Sequence, residues 1–284
     1  MAAKTIVLTG ATDGLGREVA LVLAAGGHRL ILHGRRPEAL ATLCDEVAAA
    51  GGPDPATVLA DLSSLAEVRT LPGQIAEVSD RVDVLVNNAG VGPGDQHGPR
   101  RPLTVDGNEL CFGVNYLAAF DLTHRLLPMI STDGGRIVNV ASLGQAPIHF
   151  DDLALEDHLD DWWLPYNQSK LAMITWGFTL AERLDQVTVN SVHPGTYMPT
   201  KMVVGKGIPA VHTVESGVEA TIRMIMDPAL EMITGRFYDQ LQEARAHVPD
   251  AYDPQIRERL WLISLELTGA PEPGQAVTVV PPAR

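Results

Sequence analysis

Cysteine is nearly absent. Only Cys44 and Cys111 occur in 284 residues, both inside expected helices and without a spacing partner, which argues against a disulfide framework or a thiolate metal site. Aromatic residues make up 5% of the chain, and lysine appears four times, at Lys4, Lys170, Lys201 and Lys206. Arginine and lysine total 21 against 35 acidic residues, a formal charge of −14. Nucleic acid and anionic membrane surfaces both require clustered cations, so neither fits as a partner. Charges interrupt every apolar segment well short of the ~18 residues that span a bilayer, and the first apolar run arrives by Ile6, too early for a signal peptide. No membrane anchor is expected, and a reducing, cytoplasmic setting fits. The nine histidines show no metal-ligand spacing, so no metal is expected.

What is present is a pattern of strands and helices. With 45% hydrophobic residues, the chain is long enough for one large core, and residues 1–284 read as a single domain. Lys4–Leu8 is a β-branched-rich run that ends in Thr9-Gly10-Ala11-Thr12-Asp13-Gly14-Leu15-Gly16 and passes into a helix from Arg17. Glycines at 10, 14 and 16 let the backbone turn tightly and let a ligand approach the helix N-terminus, where unpaired N–H groups and the helix dipole favour a diphosphate. Asp13 either caps that helix or faces away from it. Further strands are expected at His28–His33, Thr57–Ala60, Val82–Val86, Arg136–Val140, Val187–Val192 and Gly235–Asp239, separated by helical segments. Strand-then-helix repetition implies an α/β fold of Rossmann type: a doubly wound parallel sheet of about seven strands with helices on both faces.

Ligands in such sheets bind at the carboxyl ends of the strands, and the distinctive residues collect there. After the second strand, Gly34-Arg35-Arg36 stands where an acidic residue would bind the adenosine ribose hydroxyls. Arginine accommodates a 2′-phosphate instead, so NADP(H) is expected over NAD(H). Asp61 ends the third strand and either accepts from an adenine amino group or shapes a turn, while Ser64 to Glu67 forms a capping box. Asn87-Asn88-Ala89-Gly90 follows the fourth strand, and Ser142 lies just past the fifth. A long helix is expected from about Asp106 towards Met129, with Asn115 midway. Segments 91–103, 150–164 and 196–213 are expected to line a substrate pocket. The second is an acidic insert bearing Trp162 and Trp163, which suggests that anionic substrates are disfavoured. A helix at Asp253–Leu267 is expected within 241–284, with a fraying tail from Gly269.

Tyr166 and Lys170 lie four residues apart on a helix started by Pro165, and therefore share one face. A phenol titrates near ~10 in isolation, and a neighbouring ammonium favours the phenolate. The pair is a general acid/base device.

Taken in order and spacing, Gly10, Gly14 and Gly16, Asp61, the Asn87–Gly90 motif, Asn115, Ser142, Tyr166 with Lys170, and Pro194-Gly195 resemble the classical short-chain dehydrogenase/reductase family. Thr104 to Glu109 and Asp151-Asp152-Leu153 look like its retinol-dehydrogenase-like branch, which acts on lipophilic carbonyls and alcohols. The resemblance implies a catalytic tetrad. Tyr166 exchanges a proton with the substrate oxygen, Ser142 hydrogen-bonds that oxygen, Lys170 lowers the tyrosine pKa, and Asn115 holds a water on Lys170 through its main-chain carbonyl. It also implies a cofactor-binding set of Gly10, Thr12, Asp13, Gly14, Leu15, Gly16, Arg35, Asp61, Leu62, Asn88, Ala89, Gly90, Tyr166, Lys170, Pro194, Gly195 and Thr196. One departure leaves an alternative open: the threonine usual at the fifth place past the proline is replaced by Pro199, so either Thr196 or Thr200 meets the nicotinamide carboxamide. Self-association as a homodimer or homotetramer, through the helices bearing Asn115 and Tyr166, is a family habit. A non-redox epimerase or cyclase of the same fold, and a non-catalytic dinucleotide sensor, are the alternative functions.

Overall fold

A computed structural model of the chain describes residues 2–92, 101–204 and 207–275. Seven parallel strands form its frame: β1 Thr5–Leu8, β2 Arg29–Gly34, β3 Ala56–Leu59, β4 Val84–Asn87, β5 Gly135–Val140, β6 Val187–His193 and β7 Arg236–Asp239. An eighth, β8 Gln242–Ala244, pairs antiparallel with β7, and the sheet runs β3-β2-β1-β4-β5-β6-β7-β8. The expected count of seven is thus one short. β8 has three residues with a polar, largely exposed pattern, so it presents no apolar alternation and forms only because a hairpin returns on β7, with Gln240 at a positive φ of 51° in the turn.

The central strands β1, β4 and β5 are buried along their whole length, which explains their near-continuous apolar runs. Side chains alternate in direction along a strand. Val7, Ile31, Leu85, Ile137 and Val189 therefore point to one face in register across five strands. They pack there with the apolar sides of α3 Leu65–Val68, α4 Leu71–Val78, α5 Ala118–Leu126, α6 Leu164–Arg183 and α9 Pro254–Thr268. Ile6, Leu8, Leu32, Val84, Val86 and Val138 point to the other face, against α1 Gly14–Ala25, α2 Pro37–Ala49 and α8 Val214–Met226. A single turn, α7 Lys201–Val204, follows β6. Strand order reverses direction at β1 and β4, which opens a crevice at their carboxyl ends.

Three expectations about the helices change. The helix expected from Asp106 starts at Leu110, because Gly107 adopts a left-handed φ of 83° and the Asp106 carboxylate accepts from Leu65 N–H at 2.8 Å, capping α3 instead. The residues leading into α5, Phe112–Leu117, form a π-helical turn with Asn115 inside it. In the capping box, Ser64 Oγ accepts from Glu67 N–H at 3.3 Å, but the Glu67 carboxylate reaches Asp61 N–H at 2.7 Å rather than Ser64.

The C-terminal segment also departs from expectation. Through Gln275 the tail from Gly269 is docked: Arg125 donates to the Gly269 carbonyl, His124 Nδ1 bonds the Pro271 carbonyl at 2.8 Å, and Trp261 Nε1 donates to Glu272. Phe120, His124, Trp176 and Trp261 stack into one aromatic cluster between α5, α6 and α9. α9 thus packs against α5 and α6 of the same chain. No helix among the described residues is long and apolar enough to cross a membrane.

Candidate active site

The strand ends surround a cavity of about 730 Å³. Every residue of the expected cofactor set lines it, as do Ser142 and Thr200, whereas Asn115 does not. Of the expected pocket segments, Val91, Trp163 and several residues between Thr196 and Val203 line it. Residues 93–100 and 205–206 lie outside the described residues.

At one end the glycine loop meets the end of β4 closely. A Cβ on Gly10 would come within 2.7 Å of the Ala89 backbone, and one on Gly16 within 2.3 Å of the Gly10 carbonyl. Only glycine permits this packing. Asn88 ties the two segments together: its amide donates to the Thr9 carbonyl at 2.8 Å and the Gly10 carbonyl at 3.1 Å. The Asn88 and Ala89 N–H groups donate to Thr9 Oγ1. The role of Asp13 is now defined. Its carboxylate accepts from Gly14 N–H at 2.8 Å as the cap of α1 and pairs with Lys201 at 2.5 Å.

Sequence reasoning missed His33. It is 3% exposed, accepts from Gly10 N–H through Nδ1 at 3.2 Å, and donates through Nε2 to the Ala60 carbonyl at 3.1 Å. One neutral imidazole thus fastens the ends of β1, β2 and β3, and burial holds its pKa down to about 4. A histidine at the end of an otherwise apolar strand was the available signal. Beside it, a side chain on Gly34 would meet Thr12 at 2.6 Å, so no carboxylate fits there, while Arg35 and Arg36 stand exposed at the cavity edge. Asp61 accepts from Ser63 N–H at 2.9 Å. Partial burial raises its pKa, but the bonds from Ser63 and the charge of Arg35 outweigh that and leave it lowered.

Further along lie Tyr166 and Lys170. α6 presents Tyr166 to the cavity, where Ser142 also lies, near enough to the phenol to lower its pKa. Ser142 Oγ in turn accepts from Gly144 N–H at 3.0 Å. Lys170 Nζ sits 5.6 Å from the tyrosine ring centroid and donates to the Val140 carbonyl at 2.8 Å. The electrostatics differ from the expectation that the lysine pulls the phenol down. Desolvation pushes Tyr166 above its usual value, with the nearby Ser142 hydroxyl opposing it, and the same desolvation lowers Lys170 to about 8. Burial penalises the charged form of each group, so the phenol stays protonated and the ammonium becomes the group that titrates near neutrality.

Asn115 acts from behind. It is fully buried; its Oδ1 accepts from Val91 N–H at 2.7 Å, and its Nδ2 donates to the Val91 carbonyl and to Ser169 Oγ, each at 3.0 Å. Ser169 Oγ donates to the Tyr166 carbonyl at 2.7 Å. The asparagine thereby fastens the loop after β4 to the helix carrying the tyrosine. The π-helical turn around it, with Ala118 N–H bonded to the Gly113 carbonyl, is the kind of irregularity often found at functional sites.

Past β6, Thr196 Oγ1 is bonded to His193 Nε2 at 3.0 Å and its N–H donates to His212 Nδ1 at 2.9 Å, while Thr200 packs beside Gly14. Both threonines line the cavity. The acidic insert contributes Trp163 but no carboxylate to the lining. Asp152 and Asp161 cap turns and Asp151 pairs with Arg259, so the structure gives no basis for repulsion of anionic substrates by these acids. Among the described residues no group of three or more His, Cys, Asp or Glu is placed to hold a metal ion.

Comparison with known proteins accords with this geometry. Residues 4–207 match the family model described as short chain dehydrogenase. Human (Homo sapiens) retinol dehydrogenase 13 is 33% identical, the match covering 95% of this chain and 86% of that protein. Retinol dehydrogenase 14 of Mus musculus is 34% identical over 95% and 87% of the two chains. Among solved structures, the Pseudomonas aeruginosa RhlG/NADP active-site complex superposes with a TM-score of 0.67 at 26% identity, covering 84% of this chain and 95% of that one. A glycine loop at the switch point of the sheet, a serine, tyrosine and lysine gathered beyond it, and relatives matched over nearly the whole length converge on one assignment: the chain is an oxidoreductase of the short-chain dehydrogenase family, in its retinol-dehydrogenase-like branch.

Proposed function

We propose that this enzyme uses NADP(H) to interconvert a ketone or aldehyde and the corresponding alcohol on a lipophilic small molecule, with Tyr166 as general acid and base. The observation that carries this reading is that Tyr166, Ser142 and Lys170 line the same cavity as the glycine loop and Arg35, with Lys170 one helical turn from Tyr166.

The residues fit a dinucleotide. The loop Gly10–Gly16 and the N-terminus of α1 suit the diphosphate, Arg35 and Arg36 suit a 2′-phosphate where Gly34 leaves no room for a carboxylate, and Asp61 with Leu62 suits the adenine. Thr196 and Thr200 are the candidate partners of the carboxamide. The bound cofactor supplies or accepts hydride. In reduction, Tyr166, kept protonated by desolvation, donates its proton to the carbonyl oxygen while Ser142 hydrogen-bonds that oxygen. Lys170 stays charged below about pH 8 and stabilises the phenolate as it forms. Asn115 is a positioning residue, holding the loop after β4 against α6. The names of the relatives, retinol dehydrogenases and an NADP complex, support both the alcohol–carbonyl chemistry and the cofactor.

The test is direct. Purified protein mixed with NADPH and a panel of lipophilic aldehydes and ketones is expected to oxidise the cofactor, and more efficiently than it oxidises NADH. Tight NADPH binding with no turnover on any carbonyl or alcohol would contradict the reading and favour non-redox chemistry.

A further inference from the structure

The segments that flank Tyr166 in the cavity wall, 142–144, 163–167 and 193–198, contribute no carboxylate, arginine or lysine. They contribute rings instead. Trp163 precedes Tyr166 by three residues and so shares its side of the helix start; their ring centroids are 6.1 Å apart at 75°. Tyr197, from the segment after β6, meets Trp163 at 6.3 Å and 50°. Both rings line the cavity, and Tyr197 remains 38% exposed.

The backbone gives a second, independent sign. Tyr197 adopts a φ of 47°, a left-handed conformation that is costly for a bulky side chain and natural for glycine. The turn is pinned from both sides: Thr196 N–H donates to His212 Nδ1, His212 N–H to the Thr196 carbonyl at 3.1 Å, and Val211 N–H to the Tyr197 carbonyl at 3.4 Å. Trp163 is held equally firmly, its N–H bonded to Asp161 Oδ1 at 3.1 Å, while buried Arg101 donates to the carbonyls of Asp161 and His158. A strained, over-determined residue in a cavity wall indicates that its side chain is wanted there.

We propose that Trp163 and Tyr197 form an aromatic wall that selects uncharged, planar aryl or conjugated carbonyl substrates over saturated ones of similar size. This specificity rests on the carbonyl-reductase reading of the cavity. Aromatic faces reward a flat π-system by offset or edge contacts that a puckered ring cannot reproduce.

The experiment compares acetophenone with cyclohexyl methyl ketone, both as substrates with NADPH and as ligands of the NADPH-loaded protein by calorimetry. The parent enzyme is expected to prefer the aryl ketone in both measurements. Tyr197→Gly and Trp163→Leu should each lower the aryl-to-saturated ratio about three- to tenfold, the loss of one aromatic contact, whereas Tyr197→Phe and Trp163→Phe should keep it. Tyr197→Gly relieves the left-handed strain, so its Tm should not fall. A merely structural role would instead lower Tm and leave the ratio unchanged. Ratios unaltered in both ring-removing variants, in turnover and in binding alike, overturn the wall. Aryl-selective binding without turnover of either ketone would uphold the wall and count against the carbonyl-reductase reading instead.

Discussion

Lys170 lies one helical turn from Tyr166, with its ammonium 5.6 Å from the ring centroid, and spends a hydrogen bond on the Val140 carbonyl, two residues before Ser142. The lysine thus links the tyrosine's helix to the strand end that delivers the serine, and it does so while desolvated.

That burial gives Lys170 opposite pH effects on rate and on stability. With its pKa lowered from 10.5 to about 8, the ammonium discharges as pH rises through 8, and the reduction rate should fall in that range. For stability the unfolded chain holds the extra proton between pH 8 and 10.5, so unfolding becomes less favourable as pH rises across that window, by up to about 3 kcal/mol. Denaturant titrations of the parent and of Lys170→Met at pH 8 and pH 10 should show the parent gaining relative to the variant. A constant difference would show that the lysine is not desolvated.

Three histidines set the acid limit. His33, His124 and His193 are each held near a pKa of about 4 by burial, against about 6.5 in an unfolded chain. Below pH 6.5 the unfolded state binds protons that the folded state refuses, so stability falls as pH drops towards 4, with a slope approaching ~4 kcal/mol per pH unit from these groups. Urea midpoints measured between pH 7 and 5 should decline accordingly, and His33→Gln should reduce the slope. A midpoint flat over that range would contradict the burial.

Arg35→Asp should move the enzyme from NADPH towards NADH. The change removes the cation suited to a 2′-phosphate and supplies a carboxylate for ribose hydroxyls, one position beyond Gly34, where none fits. The ratio of kcat/KM for the two cofactors should shift by tenfold or more, the effect of roughly 1.4 kcal/mol. An unchanged ratio would show that Arg35 does not read the phosphate.

Asn115→Leu removes three hydrogen bonds at a fully buried site and leaves both polar groups of Val91 without their side-chain partner. A loss of about 2–4 kcal/mol is expected in equilibrium unfolding. Because the asparagine positions the loop and α6 without lining the cavity, kcat should drop with KM for the carbonyl little altered. A variant as stable as the parent would remove Asn115 from this role.

What could be seen in the chain beforehand was what depends on short spacing. Tyr166 and Lys170 need only the helical period, and the glycine loop, Gly34-Arg35 and Ser142 need only a strand end to stand on. The central strands were visible because burial on both faces leaves uninterrupted apolar runs such as Val84–Val86. Residues whose meaning is tertiary stayed hidden. Ser169 matters because Asn115, 54 positions away, reaches it, and His33 because three strand ends converge on it. Tyr197 gave no sign of a left-handed backbone, since a tyrosine is the wrong residue to announce one. The docking of α9 and its tail depends on Phe120, Trp176 and Trp261 meeting across the fold. β8 owes its existence to β7.

On the proposed mechanism, Tyr166 is the proton donor of a carbonyl reduction. Single-turnover oxidation of bound NADPH by a ketone, followed in Tyr166→Phe, tests it most directly. The variant keeps the ring and loses the hydroxyl, so NADPH should bind as before while hydride transfer slows by two or more orders of magnitude. Hydride transfer at the parent rate in Tyr166→Phe would remove Tyr166 from that role.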